Sequence, residues 1–99
     1  MITVEQIIEW SKEHPIGNGA RSTRIANNAI EFSIVGGAKG LYGDFKDTFE
    51  VAIFDNESRE FMTRFFYPDG SDDVIPYMSK QELETLINQL IKDTDFQVR

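Results

Sequence analysis

The chain has 99 residues, 40% of them hydrophobic and 12% aromatic, and a formal net charge of −7. That length fits one domain (1–99) with one packed core, and the charge argues against direct nucleic-acid binding, which needs Lys and Arg to displace phosphate counterions. The absence of cysteine excludes disulfides and thiolate metal sites, and no run approaches the ~20 apolar residues of a membrane span or the pattern of a signal peptide, so a cytoplasmic protein without membrane contact is expected.

Thr3 and Gln6 stand at capping-box spacing with Ile2 and Ile7 as a hydrophobic staple, which predicts a first helix. Val4, Ile7, Ile8 and Ser11 fall on its buried side at ~100° per residue. Trp10 and His14 lie at the edge of that side, and Glu5, Glu9 and Glu13 descend the opposite one. His14-Pro15 should end the helix, because the residue before proline is pushed out of the α region.

The period then changes to two. Ile30, Phe32 and Ile34 alternate with Glu31 and Ser33, and Phe49, Val51 and Ile53 with Glu50 and Ala52. Asn27-Asn28 reads as a two-residue hairpin turn, since Asn tolerates positive φ. That turn sets Ile25 against Ile30, Thr23 against Phe32 and Arg24 against Glu31, a better pairing than one continuous strand from Ser22 to Val35 provides. A loop at Asn56-Glu57-Ser58 gives a second hairpin, with Glu60 to Tyr67 returning as a strand. Phe49 then faces Phe65, Ile53 faces Phe61, and Glu50 faces Arg64.

Ser79 and Glu82 make a second capping box, with Met78 and Leu83 as its staple. Leu83, Leu86, Ile87, Leu90 and Ile91 continue at helical spacing, which predicts a helix ending near Asp93. The tail from Asp95 to Arg99 is left either to fray or to add a short strand. The expected fold is therefore α+β: a small antiparallel four-stranded sheet of two hairpins with an N-terminal and a C-terminal amphipathic helix, in the order α-β-β-β-β-α.

Three features carry the functional expectations. Six of the seven glycines fall in the loops 17–24 and 36–43, within a stretch (14–46) that holds two more basic than acidic side chains while the whole chain is at −7. Arg21, Gly37, Lys39 and Gly40 are the candidate anion-binding residues there, because glycine-rich turns can aim backbone N–H groups at a phosphate. Neither loop matches a known phosphate fingerprint, and plain connectors are the ordinary reading of such glycines. Second, if Phe49, Val51, Ile53, Phe61 and Phe65 face the helices, then Phe54, Met62 and Phe66 face outward. That would make an interface for another protein or a second copy, unless Val74-Ile75-Pro76-Tyr77 or a helix covers them.

Third, Glu5, Glu9 and Glu13 suit a basic partner. With Asp69, Asp72, Asp73, Glu82 and Glu84 they would let the surface compete with nucleic acid for a basic cleft, although a charge run is ordinarily a solvated face. Asp69-Gly70-Ser71-Asp72-Asp73 lacks the spacing of a calcium loop and reads as a turn. His14 is the only histidine, so histidine-based metal sites and triads have no second member. These observations predict no catalytic residues, metal or cofactor. They predict a non-catalytic acidic protein–protein interaction module, an inhibitor or adaptor (of phage or mobile-element type, for instance) acting on a basic or nucleic-acid-binding partner. The alternative is a small-ligand domain that holds a phosphate-bearing molecule in the two glycine-rich loops.

Overall fold

A computed structural model describes residues 1–67, 72–92 and 94–99. Among these residues the elements run α1 (Val4–Glu9), β1 (Lys12–Glu13), β2 (Arg21–Ala26), β3 (Ile30–Gly36), β4 (Thr48–Asp55), α2 (Thr63–Phe66), β5 (Ile75–Ser79), α3 (Lys80–Leu90) and β6 (Gln97–Val98). The strands make one antiparallel sheet in the order β1-β2-β3-β4-β5. β6 also pairs with β2, at Ile25 and Ala26, so it shares an edge with β1, which pairs at Arg21 and Ser22. The class is α+β with an antiparallel sheet, as the two changes of period require.

Both helices start as their capping boxes dictate. Thr3 Oγ1 accepts from the Gln6 amide at 3.2 Å while Gln6 Oε1 accepts from the Thr3 amide at 2.9 Å, and Ser79 and Glu82 repeat the exchange. The two helices are also tied to each other. Asn88 Oδ1 and Nδ2 take the Ile2 amide and carbonyl, and Glu84 accepts from the Val4 amide at 2.7 Å. That last bond satisfies a donor a helix leaves free in its first turn. On the sheet, alternation puts Thr23, Ile25, Phe32, Ile34, Phe49, Val51 and Ile53 on one side, where they form the core with Ile2, Val4, Ile7, Leu83, Ile87 and Ile91. Each Leu or Ile buried there contributes roughly 2 kcal/mol.

Four expectations need correction. The first helix ends at Glu9, and the chain from Lys12 crosses to β2 as a strand. The exposed edge of β2 needs backbone partners, and Lys12–Glu13 supplies them at the expense of helix length. Glu13 therefore leaves the helical stripe of Glu5 and Glu9, and His14 sits beyond β1, its Nδ1 accepting from the Ile16 amide.

The first hairpin forms, with its register displaced by two. Ala26 pairs with Glu31, Ile25 with Phe32 and Thr23 with Ile34. Asn27 Oδ1 accepts from the amides of Ala29 and Ile30, and the Asn27 amide donates to the Ile30 carbonyl. The side chain thus substitutes for a backbone acceptor, and the turn centres on Asn28-Ala29 without positive φ at either asparagine. A displacement of two keeps every side chain on its expected face.

The second hairpin makes its turn but not its return strand. Only Phe54 bridges to Phe61, and the chain then coils into α2. Phe61, Met62, Phe65 and Phe66 recur at a spacing that a helical turn accommodates as well as a strand does. Thr63 completes the switch: its Oγ1 accepts from the Ile53 amide at 2.9 Å, so a side chain caps the β4 edge. The other half of that edge goes to β5, formed by residues not expected to make a strand, with Met78 opposite Phe49 and Ile75 opposite Val51. A bulge lies between those pairs, where Tyr77 has φ +53°. With Pro76 it blunts the sheet edge.

Finally, α3 stops at Leu90, and Gln97–Val98 adds the strand that was one of two options for the tail. Asp93, the expected helix end, and Asp69, Gly70 and Ser71 of the expected turn lie outside the described residues. No helix among the described residues is long and apolar enough to cross a membrane.

Thr63→Val keeps the side-chain volume and leaves the Ile53 amide unpaired. Urea denaturation should show a loss of about 2 kcal/mol. An unchanged midpoint would mean that the β4 edge does not depend on this hydroxyl.

Candidate functional site

The face of the sheet opposite the helices carries Arg24 and Ala26 of β2, Glu31, Ser33 and Val35 of β3, and Glu50, Ala52 and Phe54 of β4, by strand alternation. Its centre is polar. Glu31 is only 2% exposed, yet three guanidinium groups meet its carboxylate. Arg24 and Arg59 donate to Oε2 at 2.8 and 2.9 Å, and Arg99 donates to Oε1 at 3.0 Å. Burial alone would raise the Glu31 pKa. The hydrogen bonds from Arg59, Arg24 and Arg99 outweigh it and hold the carboxyl below its ordinary value. The same contact raises the Arg59 pKa.

Arg24 and Glu31 were legible as a cross-strand pair, although they now meet diagonally, with Ser33 directly opposite Arg24. Arg59 and Arg99 were not singled out. Arg59 follows the β4 turn with φ +65°, a conformation that ordinarily selects glycine or asparagine. Arg99 arrives from the tail, its amide donating to the Arg24 carbonyl and its guanidinium also to Asn56 Oδ1. A bulky residue at positive φ is the one signal that could have marked Arg59, and it is invisible without the backbone.

Aromatic residues adjoin this cluster. Phe54 stacks on Phe61 with ring centroids 4.6 Å apart, and the Arg59 guanidinium lies 5.5 Å from the Phe54 centroid. Of the expected outward set, Phe54 stays on the open face, while Met62 and Phe66 pack against the core as the chain enters and leaves α2. The exposed positions belong to Phe61 at 48% and Phe65 at 75%, the two residues expected to face the helices. Phe65 meets Phe66 edge-on at 5.1 Å.

The glycine-rich loops do meet at one end of the sheet. A Cβ placed on Gly37 would lie 3.2 Å from the Gly19 carbonyl oxygen. Gly37, Lys39, Asp44 and Lys46 line a depression of about 450 Å³ there, and Gly40 has φ +98° in the same loop. Arg21 turns away from it, donating to the Ser11 hydroxyl and carbonyl. Asp44 Oδ1 accepts from the amides of Thr48, Asp47 and Lys46, which holds its carboxyl far below the usual range. Those amides, the natural cradle for a bound anion, are occupied by the chain's own carboxylate.

Glu5 and Glu9 are exposed on α1, and Glu13 is exposed on β1. Among the described residues they form no ion pair. No group of three or more His, Cys, Asp or Glu among the described residues could hold a metal ion. Every buried side-chain polar atom described has a hydrogen-bond partner. Comparison with family models, with curated proteins and with solved structures finds no match for this chain.

Glu31→Gln should lower stability at neutral pH by roughly 2–3 kcal/mol, because the guanidinium groups lose their charged acceptor but still reach water. A lowered folded-state pKa stabilises above the unfolded value of 4.5 and is lost as pH falls through the folded value. The gap between wild type and variant should therefore be full above pH 4.5 and narrow as pH falls below it in urea titrations. A gap independent of pH would show that charge on Glu31 does not matter.

Proposed function

We propose that this protein is a non-catalytic protein-binding module that engages its partner through the open sheet face and the aromatic rim beside it. The observation that carries this reading is the exposure of Phe61 and Phe65 in ring contact with Phe54 and Phe66. Aromatic side chains and arginine are the residue types enriched at the anchoring centres of protein interfaces. Phe54 and Arg59 supply a part-buried ring and a fixed cation at the same place. Within this reading the protein acts as an inhibitor or adaptor, or pairs with a second copy through that face.

The acidic side favours a basic partner in a second reading, supported by Glu5 and Glu9 on α1, which form no ion pair among the described residues, and by Glu13 close after them. Charge contacts of that kind are screened, so affinity should fall steeply between low and high salt, as read by titration calorimetry. A small ligand held by Gly37, Lys39 and Gly40 has less support, since Asp44 already takes the neighbouring loop amides.

Phe61→Ser with Phe65→Ser tests the first reading. Both side chains are mostly or half exposed, so the melting temperature should change little, by less than about 1 kcal/mol equivalent. Partner capture from the native host, or dimerisation seen by light scattering, should fall sharply. Equal recovery of the same partner by the folded double variant would sink the aromatic-interface reading.

A further inference from the structure

We propose that Arg24, Arg59 and Arg99 form a binding site for a phosphomonoester dianion, with Phe54 and Phe61 beside it to receive the apolar or aromatic body that carries the phosphate. This site is separate from the glycine-rich loops. It stands whether or not the same face also binds a protein.

The first argument is charge. Three guanidinium groups share one carboxylate, so the four side chains of the cluster sum to two positive charges inside a molecule that is strongly negative as a whole. Arg24 and Arg59 converge on the same oxygen, which brings two like charges side by side. A phosphomonoester carries close to two negative charges near neutral pH and has three acceptor oxygens. It matches the deficit in both charge and donor geometry, because guanidinium forks bind phosphate oxygens in pairs. A long polyanion would meet the acidic remainder of a chain whose net charge is −7, which favours a compact ligand.

The second argument is availability. The three side chains are 44%, 47% and 41% exposed in chain order, although each is pinned beneath by Glu31. An arginine has five N–H donors. Among the described residues the guanidinium donors of these three go to Glu31 and, from Arg99, to Asn56. Nearby carboxylates are engaged elsewhere: Asp55 Oδ1 accepts from the Glu57 and Ser58 amides, and Glu50 Oε1 from the Tyr42 amide. The outward donors are thus left to solvent or to a ligand.

The third argument is preorganisation. Arg59 is held at positive φ, and such strain concentrates where side-chain placement serves binding. Arg24 is fixed in β2, and Arg99 is fixed by its backbone bond to Arg24. Ordering three flexible side chains normally opposes binding; here the fold has already ordered them. The Phe54–Phe61 stack lies against Arg59, so a ring attached to the phosphate has an aromatic surface to meet.

Arginine Nε–Hε signals of the whole chain, titrated with inorganic phosphate and with phenyl phosphate at constant ionic strength, test the site. Arg24, Arg59 and Arg99 should shift together and saturate at millimolar phosphate. Phenyl phosphate should saturate at least about fivefold lower and also move the Phe54 and Phe61 ring signals. Arg24→Gln and Arg99→Gln, each checked for fold by circular dichroism, should weaken phenyl phosphate about tenfold. No saturation by about 50 mM, equal effects from acetate or chloride, or shifts centred on the Gly37–Gly40 amides would overturn the proposal. Equal affinity for the two phosphates would overturn the role given to Phe54 and Phe61.

Discussion

Placing a carboxylate in the middle of a sheet face, with almost no access to water, is unfavourable unless its charge is met from several directions. Glu31 is met by three arginines, each from a different part of the chain: Arg24 on β2, Arg59 after the β4 turn, and Arg99 beyond β6. The contact therefore works as a four-way clasp. It fixes the β2–β3 hairpin, the β4 turn and the C-terminal segment relative to one another on the side of the sheet that the helices do not cover. Hydrophobic burial supplies most of the driving force on the other side, but it does not say where the tail or the β4 turn should sit. The Glu31 clasp does.

That arrangement also explains how the sheet closes its edges. β2 would present an open edge, and two short strands from opposite ends of the chain divide it between them, β1 at Arg21–Ser22 and β6 at Ile25–Ala26. At the far side, β5 covers part of β4, and the Thr63 hydroxyl caps the next residues. Neither edge is left as a long, flat template for pairing with another chain.

The charge distribution follows the same division. Glu5 and Glu9 of α1 lie on the helical side, whereas the open face holds the arginines around Glu31. The molecule is thus acidic overall with a local basic centre. In the glycine-rich region, which also looks basic in the sequence, Asp44 folds back on its own loop amides and Arg21 is engaged by Ser11.

Much of this is legible in the sequence alone. Capping boxes and staples are local, so Thr3/Gln6 and Ser79/Glu82 marked both helix starts; alternation marked β3 and β4, and the face of each side chain there, because side-chain direction depends only on parity. The register of the first hairpin was not legible, since the Asn27 side chain could serve as an acceptor only once the turn existed. The fate of residues 60–66 was not legible either, because Phe at positions 61, 65 and 66 fits a strand and a helical turn alike. Long-range competition for backbone partners settled both that segment and the end of α1. The candidate site divides in the same way. Arg24 diagonal to Glu31 across the hairpin is a near-neighbour pairing that sequence spacing can suggest. Arg59 and Arg99 reach that carboxylate across 28 and 68 residues of chain, a distance over which no local rule acts and only the folded arrangement of strands brings the charges together.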